Sequence, residues 1–114
     1  MVDSQLDEDV VSQFSHQQII TYFNLYLKNA SFIIDNMAVD FQNKEYESLR
    51  ARAHKLKGSS MVVGAIKIKE LAYEIEQDAK ERGKADQGKI DQLKEQFTEL
   101  SHLLKIRYNI SFDQ

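Results

Sequence analysis

The chain has 114 residues, 42% of them apolar, enough to bury one core and too few for a second domain of ordinary size. With 15 basic against 18 acidic residues its net charge is −3, so no broad cationic surface is available to a phosphate backbone and nucleic-acid binding is not expected. The absence of cysteine removes disulfides, thiolate nucleophiles and cysteine-based zinc sites, and suits a reducing cytosol.

The stretch from Met1 to Phe14 is acidic and lacks the basic-then-apolar order of a secretory signal. No uncharged apolar run approaches the ~18 residues of a membrane span. A cytoplasmic protein without membrane association is expected, with the nucleus open as well for a eukaryotic source. Proline is absent, the four glycines all lie between positions 58 and 88, and good helix formers fill the rest, so long helices follow.

Five helices are expected, over about 4–13, 16–41, 44–63, 65–82 and 88–110. The first is short, capped by Asp3 or Ser4, with acidic residues in the turn where the helix dipole favours them. Ser15 starts the second, with Gln18 at capping-box spacing, and Ile20, Phe23, Leu27, Ile34 and Met37 form one stripe until Asp40 to Lys44 ends it. The third buries Leu49, Ala53, Leu56 and Ser60 and stops at Gly64 in a left-handed cap. The fourth aligns Ile68, Leu71, Ile75 and Ala79 before the polar stretch from Gly83 to Gly88 breaks the pattern. The fifth alternates steps of three and four through Ile90, Leu93, Phe97, Leu100 and Leu104. Four long helices on short connections predict an all-α fold: an antiparallel up-and-down four-helix bundle with the short N-terminal helix laid across one end.

The informative stretch is His54-Lys55-Leu56-Lys57-Gly58-Ser59-Ser60, inside the third helix. Glycine within a helix costs ~1 kcal/mol relative to alanine, so a helix that only packed would do better without Gly58. Gly58 is four residues after His54, on the same face one turn on, where it clears an approach to the imidazole. Lys57, three residues after His54, borders that face with an ammonium suited to a phosphoryl group carrying up to about two negative charges. Histidine, whose ordinary titration lies near ~6.5, is the side chain with a large neutral fraction at cellular pH, and a neutral ring nitrogen attacks phosphorus without a separate base. His54 lies ten residues before Gly64 and Glu76 twelve after it, so at ~1.5 Å per residue the two stand ~15 and ~18 Å from the turn and are expected to be neighbours across a hairpin. A carboxylate there can accept from one ring nitrogen and leave the other exposed.

The run His54-x-Leu56-Lys57-Gly58-Ser59-Ser60-x-x-x-Gly64-Ala65 resembles the signature of histidine-containing phosphotransfer (HPt) domains, and the five-helix pattern resembles their stand-alone members over nearly the whole chain. The resemblance implies a phosphorelay intermediate in which His54 receives a phosphoryl group from the receiver domain of a hybrid sensor histidine kinase and passes it to the receiver of a response regulator. It further implies that Lys57 assists the phosphoryl group, that Gly58 gives access and that Glu76 orients the ring; Ser59, beside Gly58, is expected to assist the phosphoryl group as well. No cofactor of its own is expected, magnesium being bound by the partner receiver alone. Basic residues further along the fourth helix occur in the family, and Lys80 is a loosely placed match. Val10, Val11 and Phe14, after the acidic Asp7-Glu8-Asp9, are either core cover or part of a receiver-docking patch, with core cover favoured; Lys55 and Met61 complete the docking candidates.

There is no glycine-rich nucleotide loop and no acidic metal cluster, so a phosphocarrier is expected and not an enzyme that phosphorylates itself from ATP. A monomer fits the need to present one open face. The alternative from another class is a helical adaptor that binds a receiver or kinase by shape without turnover; His54, Lys57 and Gly58 together argue against it. A third reading, a metal-dependent helical enzyme, meets the pair Glu99 and His102, but a di-metal bundle needs a second copy of that motif, which is missing. His16 and His102 are expected at the surface near helix ends.

Overall fold

A computed structural model describes residues 5–82 and 85–111, with the Arg82 side chain excepted. Five helices are found among them: α1 (Glu8–Val11), α2 (His16–Gln42), α3 (Tyr46–Val63), α4 (Ile66–Arg82) and α5 (Gln87–Tyr108). The molecule extends 41 Å along its principal axis, matching the ~40 Å of the longest helix, α2. α3 packs on α2 and α4, and α5 closes the bundle against α2 and α4. No helix among the described residues is long and apolar enough to cross a membrane.

The core follows the expected stripes. Phe23, Leu27, Ile34 and Met37 of α2 meet Leu49, Ala53 and Leu56 of α3, Ile68 and Ile75 of α4, and Ile90, Leu93, Leu100 and Leu104 of α5, all buried. Ile20, Leu71 and Phe97 are only partly buried, while Ile19 and Ala72 take interior places. Ser60 does more than fill a small space. Its hydroxyl lies 2.7 Å from the Tyr26 hydroxyl, and both groups are buried. Burial pushes the Tyr26 phenol well above its ordinary range, and the Ser60 bond offsets only part of that.

The helix ends show where local chemistry overrides periodicity. Ser15 and Gln18 form both bonds of a capping box, at 3.1 and 2.8 Å. Helix α3 does not begin at Lys44, because Lys44 takes a left-handed φ of 56° and its N–H donates to the Phe41 carbonyl to finish α2. The same turn carries a clamp that periodicity does not reveal: buried Asp40 accepts from Arg52 Nε at 2.8 Å and from the Ser48 hydroxyl at 3.0 Å. Helix α5 starts one residue early, capped by Asp86, and stops at Tyr108 because Asn109 takes the left-handed cap with φ 58°.

The N-terminal segment departs most from expectation. The helix expected over 4–13 shrinks to Glu8–Val11 with Asp7 as its cap, accepting from the Asp9 N–H at 3.0 Å. Asp3 and Ser4, the expected caps, lie outside the described residues. Gln5 and Leu6 are instead drawn into backbone pairing: the Asp7 N–H donates to the Gly64 carbonyl at 2.7 Å and the Ile66 N–H donates to the Gln5 carbonyl at 3.1 Å. Those are a carbonyl at the exit of α3 and an amide at the entry of α4, which the helices cannot satisfy themselves. Leu6 and Val11 are buried beneath this strap, so Val11 belongs to the core and has no face for a docking partner.

Gly64 is needed by the fold itself. Its φ is +79°, and a Cβ there would meet Val10 Cβ at 3.1 Å and the Asp7 carbonyl oxygen at 3.2 Å. Gly64→Ala is therefore expected to lower the stability by at least about 1–2 kcal/mol. Urea titration measures it, and an unchanged midpoint would contradict the strained turn.

Candidate functional site

Turns of α3 place His54 and Lys57 on the side facing α4, and the α3–α4 hairpin brings Glu76 level with them. His54 Nδ1 lies 2.7 Å from Glu76 Oε2, and Lys57 Nζ lies 2.9 Å from Glu76 Oε1. One carboxylate thus holds both side chains, using a different oxygen for each. Exposure separates their roles: the Glu76 side chain is 9% exposed, that of Lys57 26% and that of His54 65%.

Burial alone would push the Glu76 carboxyl up, but the bonds from Lys57 and His54 outweigh it and hold the group below the ordinary glutamate range. Glu76 is therefore an ionised, acceptor-only group at neutral pH. Its partner nitrogen on His54 must be the donor, so in the neutral ring the proton sits on Nδ1 and the lone pair on Nε2. The ring is thereby oriented with its nucleophilic nitrogen away from the carboxylate, and the largely exposed ring leaves that nitrogen open to approach.

Gly58 borders this face, and a Cβ built on it would meet nothing within 4 Å. The expectation that a side chain would crowd the imidazole does not hold within the free chain. Nothing in the packing of the described residues requires glycine at that point. Ser59 is not brought into the cluster. Its hydroxyl donates to the Leu56 carbonyl at 3.2 Å, and five residues past His54 it faces ~140° away around the helix.

Of the docking candidates, Lys55 and Met61 are exposed on α3, while Val10 and Phe14 are partly buried, Phe14 resting edge-on against Tyr22 with ring centroids 5.1 Å apart. Val11 is sealed in the core. Lys80 is exposed and has no contact with the cluster among the interactions found. Glu99 and His102 are exposed on α5, and no group of three or more metal-ligating side chains occurs among the described residues.

Two residues near the cluster escaped the sequence reading. Arg50, four residues before His54 and so on the same face, pairs with Glu47 and feels the charge of Glu76. Tyr73, one turn before Glu76, lays its ring under the Lys57 ammonium, 5.5 Å from Nζ to centroid. The i, i+4 spacing could have flagged Arg50; finding Tyr73 requires the rotation of α4 against α3.

A helical bundle that presents an open imidazole, braced from behind by a carboxylate and flanked by an ammonium, has the architecture of a histidine phosphotransfer module. The chain belongs to the Hpt domain family, whose sequence model matches residues 21–103 and spans the whole cluster. A phosphocarrier role in two-component phosphorelay signalling follows from that membership. Comparison with curated proteins and with solved structures gave no match.

The depressed titration of Glu76 has a defined sign. The folded value lies below the unfolded one of about 4.3, so the stabilisation is complete above that value and is lost as pH falls through the folded value. Wild type is expected to exceed Glu76→Gln in stability near pH ~5, and the margin is expected to shrink toward pH ~3. Denaturant titrations of both proteins at the two pH values check this, and a margin that widens in acid would contradict it.

Proposed function

We propose that His54 is the phosphoacceptor of a multistep relay, taking a phosphoryl group from the phosphoaspartate of one receiver domain and giving it to the aspartate of another. The observation that carries this reading is the bond from His54 Nδ1 to Glu76, which leaves Nε2 as the free nucleophile on an exposed ring. In the forward step the Nε2 lone pair forms the N–P bond while the bond between phosphorus and the aspartyl oxygen breaks, and the aspartate leaves as a carboxylate. The ring keeps its Nδ1 proton and carries the formal positive charge created by N–P bond formation, directly against ionised Glu76. Reversal toward a second aspartate returns the neutral ring.

Lys57 supplies a cation for the phosphoryl oxygens, as its place beside the ring supports. Ser59, held on its own helix, is left out of the proposed phosphoryl contacts. The receivers belong to a hybrid sensor kinase and a response regulator in this reading, and magnesium bound by the receiver would balance charge on its own side of the transfer. The proposed docking patch runs along α3 from Lys55 to Met61 and onto Val10 and Phe14. Gly64, against which Val10 packs, lies ~15 Å along α3 from His54, inside the radius of about 16 Å of a round patch of the ~800 Å² that each partner of a standard interface covers.

Gly58 supports the same reading from the energetic side, because its cost to the helix is matched by no contact inside this chain. A close-approaching partner explains the glycine.

Incubation with a phosphorylated receiver is expected to give an acid-labile, base-stable label that His54→Gln reduces to background. Persistent label in that variant would refute the assignment. Gly58→Ala is expected to stabilise the fold by about 0.5–1 kcal/mol while slowing transfer by at least roughly fivefold, the rate equivalent of about 1 kcal/mol of overpacking against the receiver. Melting curves and single-turnover transfer read the two effects, and a stabilised variant with unchanged transfer would contradict the access role.

A further inference from the structure

Lys57 in the resting chain is not waiting free for phosphate. Its ammonium is engaged twice, by Glu76 Oε1 at 2.9 Å and by the face of Tyr73, 5.5 Å from the ring centroid. Glu76 is fixed by its second bond to His54, whereas Tyr73 is half-exposed and forms one wall of an open groove shared with Lys57, Met61 and Lys69. A lone Lys–Glu pair near a surface is a weak hold on a side chain with four rotatable bonds. An aromatic face adds a second attraction that depends on the ammonium being near the ring and does not depend on which anion it touches.

Once a phosphoryl group sits on Nε2, it presents more negative charge than the Glu76 carboxylate, and Glu76 faces a positively charged ring. Both changes favour passage of the Lys57 ammonium from Glu76 to the phosphoryl oxygens. During that passage the Tyr73 face is the one partner that does not change.

Resting on the reading of His54 as phosphoacceptor, we propose that Tyr73 is a positioning residue for phosphoryl transfer. Its ring keeps the Lys57 ammonium beside the site while that ammonium exchanges Glu76 for the phosphoryl group. Tyr73 touches neither the reacting atoms nor the phosphoryl group; it acts through Lys57. The part of the side chain that matters is the ring face, and the hydroxyl is dispensable.

The test is a double-mutant cycle on single-turnover transfer from a phosphorylated receiver. Tyr73→Leu, which keeps apolar bulk and removes the ring face, is expected to slow transfer about two- to fivefold. Tyr73→Phe is expected to restore the wild-type rate. In a Lys57→Gln background Tyr73→Leu is expected to have no further effect, a coupling that mere loss of packing would not produce. Equal losses in both backgrounds, or a Tyr73→Phe rate as low as that of Tyr73→Leu, would overturn the role of Tyr73 while His54→Gln still abolished labelling. Label surviving in His54→Gln would overturn the phosphoacceptor reading and this proposal with it.

Discussion

A buried carboxylate has to find partners, and the rest of the site is arranged around that requirement. Glu76 sits on α4 with its side chain almost closed to water, where an unpaired charge would be strongly unfavourable. Both partners come from α3, one for each oxygen. Satisfying Glu76 therefore fixes the register of α4 against α3, the orientation of the imidazole and the resting place of the ammonium together. A slip of one residue along α4 would carry position 76 ~100° around the helix and break both bonds. Coupling of a helix register to a ring tautomer lets a surface histidine be rigid without being buried.

The hairpin that sets this register is held at its closed end by backbone chemistry. Gly64 reverses the chain in a left-handed conformation, and the strap at residues 5–7 supplies an acceptor and a donor for the ends of α3 and α4. At the opposite end of α3, Asp40 draws Arg52 and Ser48 onto the last turn of α2. Helix α3 is thus pinned at both ends and braced in the middle by Glu76. Between these pins α3 exposes Lys55 and Met61 together with the His54 ring, which Glu76 holds from behind while most of the ring stays open to solvent. The division suits a protein whose chemistry takes place in contact with another molecule.

What could be read from the amino-acid order follows the range of the forces involved. Ser15 with Gln18 and Gly64 announce themselves within a few residues, because caps and left-handed turns are local. Glu76 was reachable by counting from Gly64 along two helices of known rise, since a tight hairpin makes level a matter of arithmetic. The strap at Gln5 and Leu6 was not reachable, because it is made of main-chain groups that every residue possesses, and the acidic run after it argued for helix. Lys44 hides the start of α3 for a related reason: a left-handed lysine has no signature of its own and is imposed by the close of α2. Val11 was open between core and surface until the strap showed which side it faces. Tyr73 and the pair Asp40 and Arg52 depend on how far each helix is rotated about its axis, which hydrophobic stripes define only to within a broad arc.

The two glycines of α3 and its exit show how stability and function separate in one short segment. At Gly64 the backbone angle and the nearest atoms both forbid a side chain, so the reason for glycine is complete within the folded chain. At Gly58 the backbone is helical and the space is empty, so the folded chain supplies no reason, and the helix bears a cost of ~1 kcal/mol that alanine would remove. A residue that costs stability and meets no neighbour is explained by something the isolated molecule does not contain. In the proposed reading that something comes one turn from the exposed imidazole whose second nitrogen Glu76 leaves pointing away from itself. In the proposed transfer, a receiver bringing an aspartyl phosphate to Nε2 would lay its own surface over that turn, and a methyl group there would hold it back from the position that in-line attack requires.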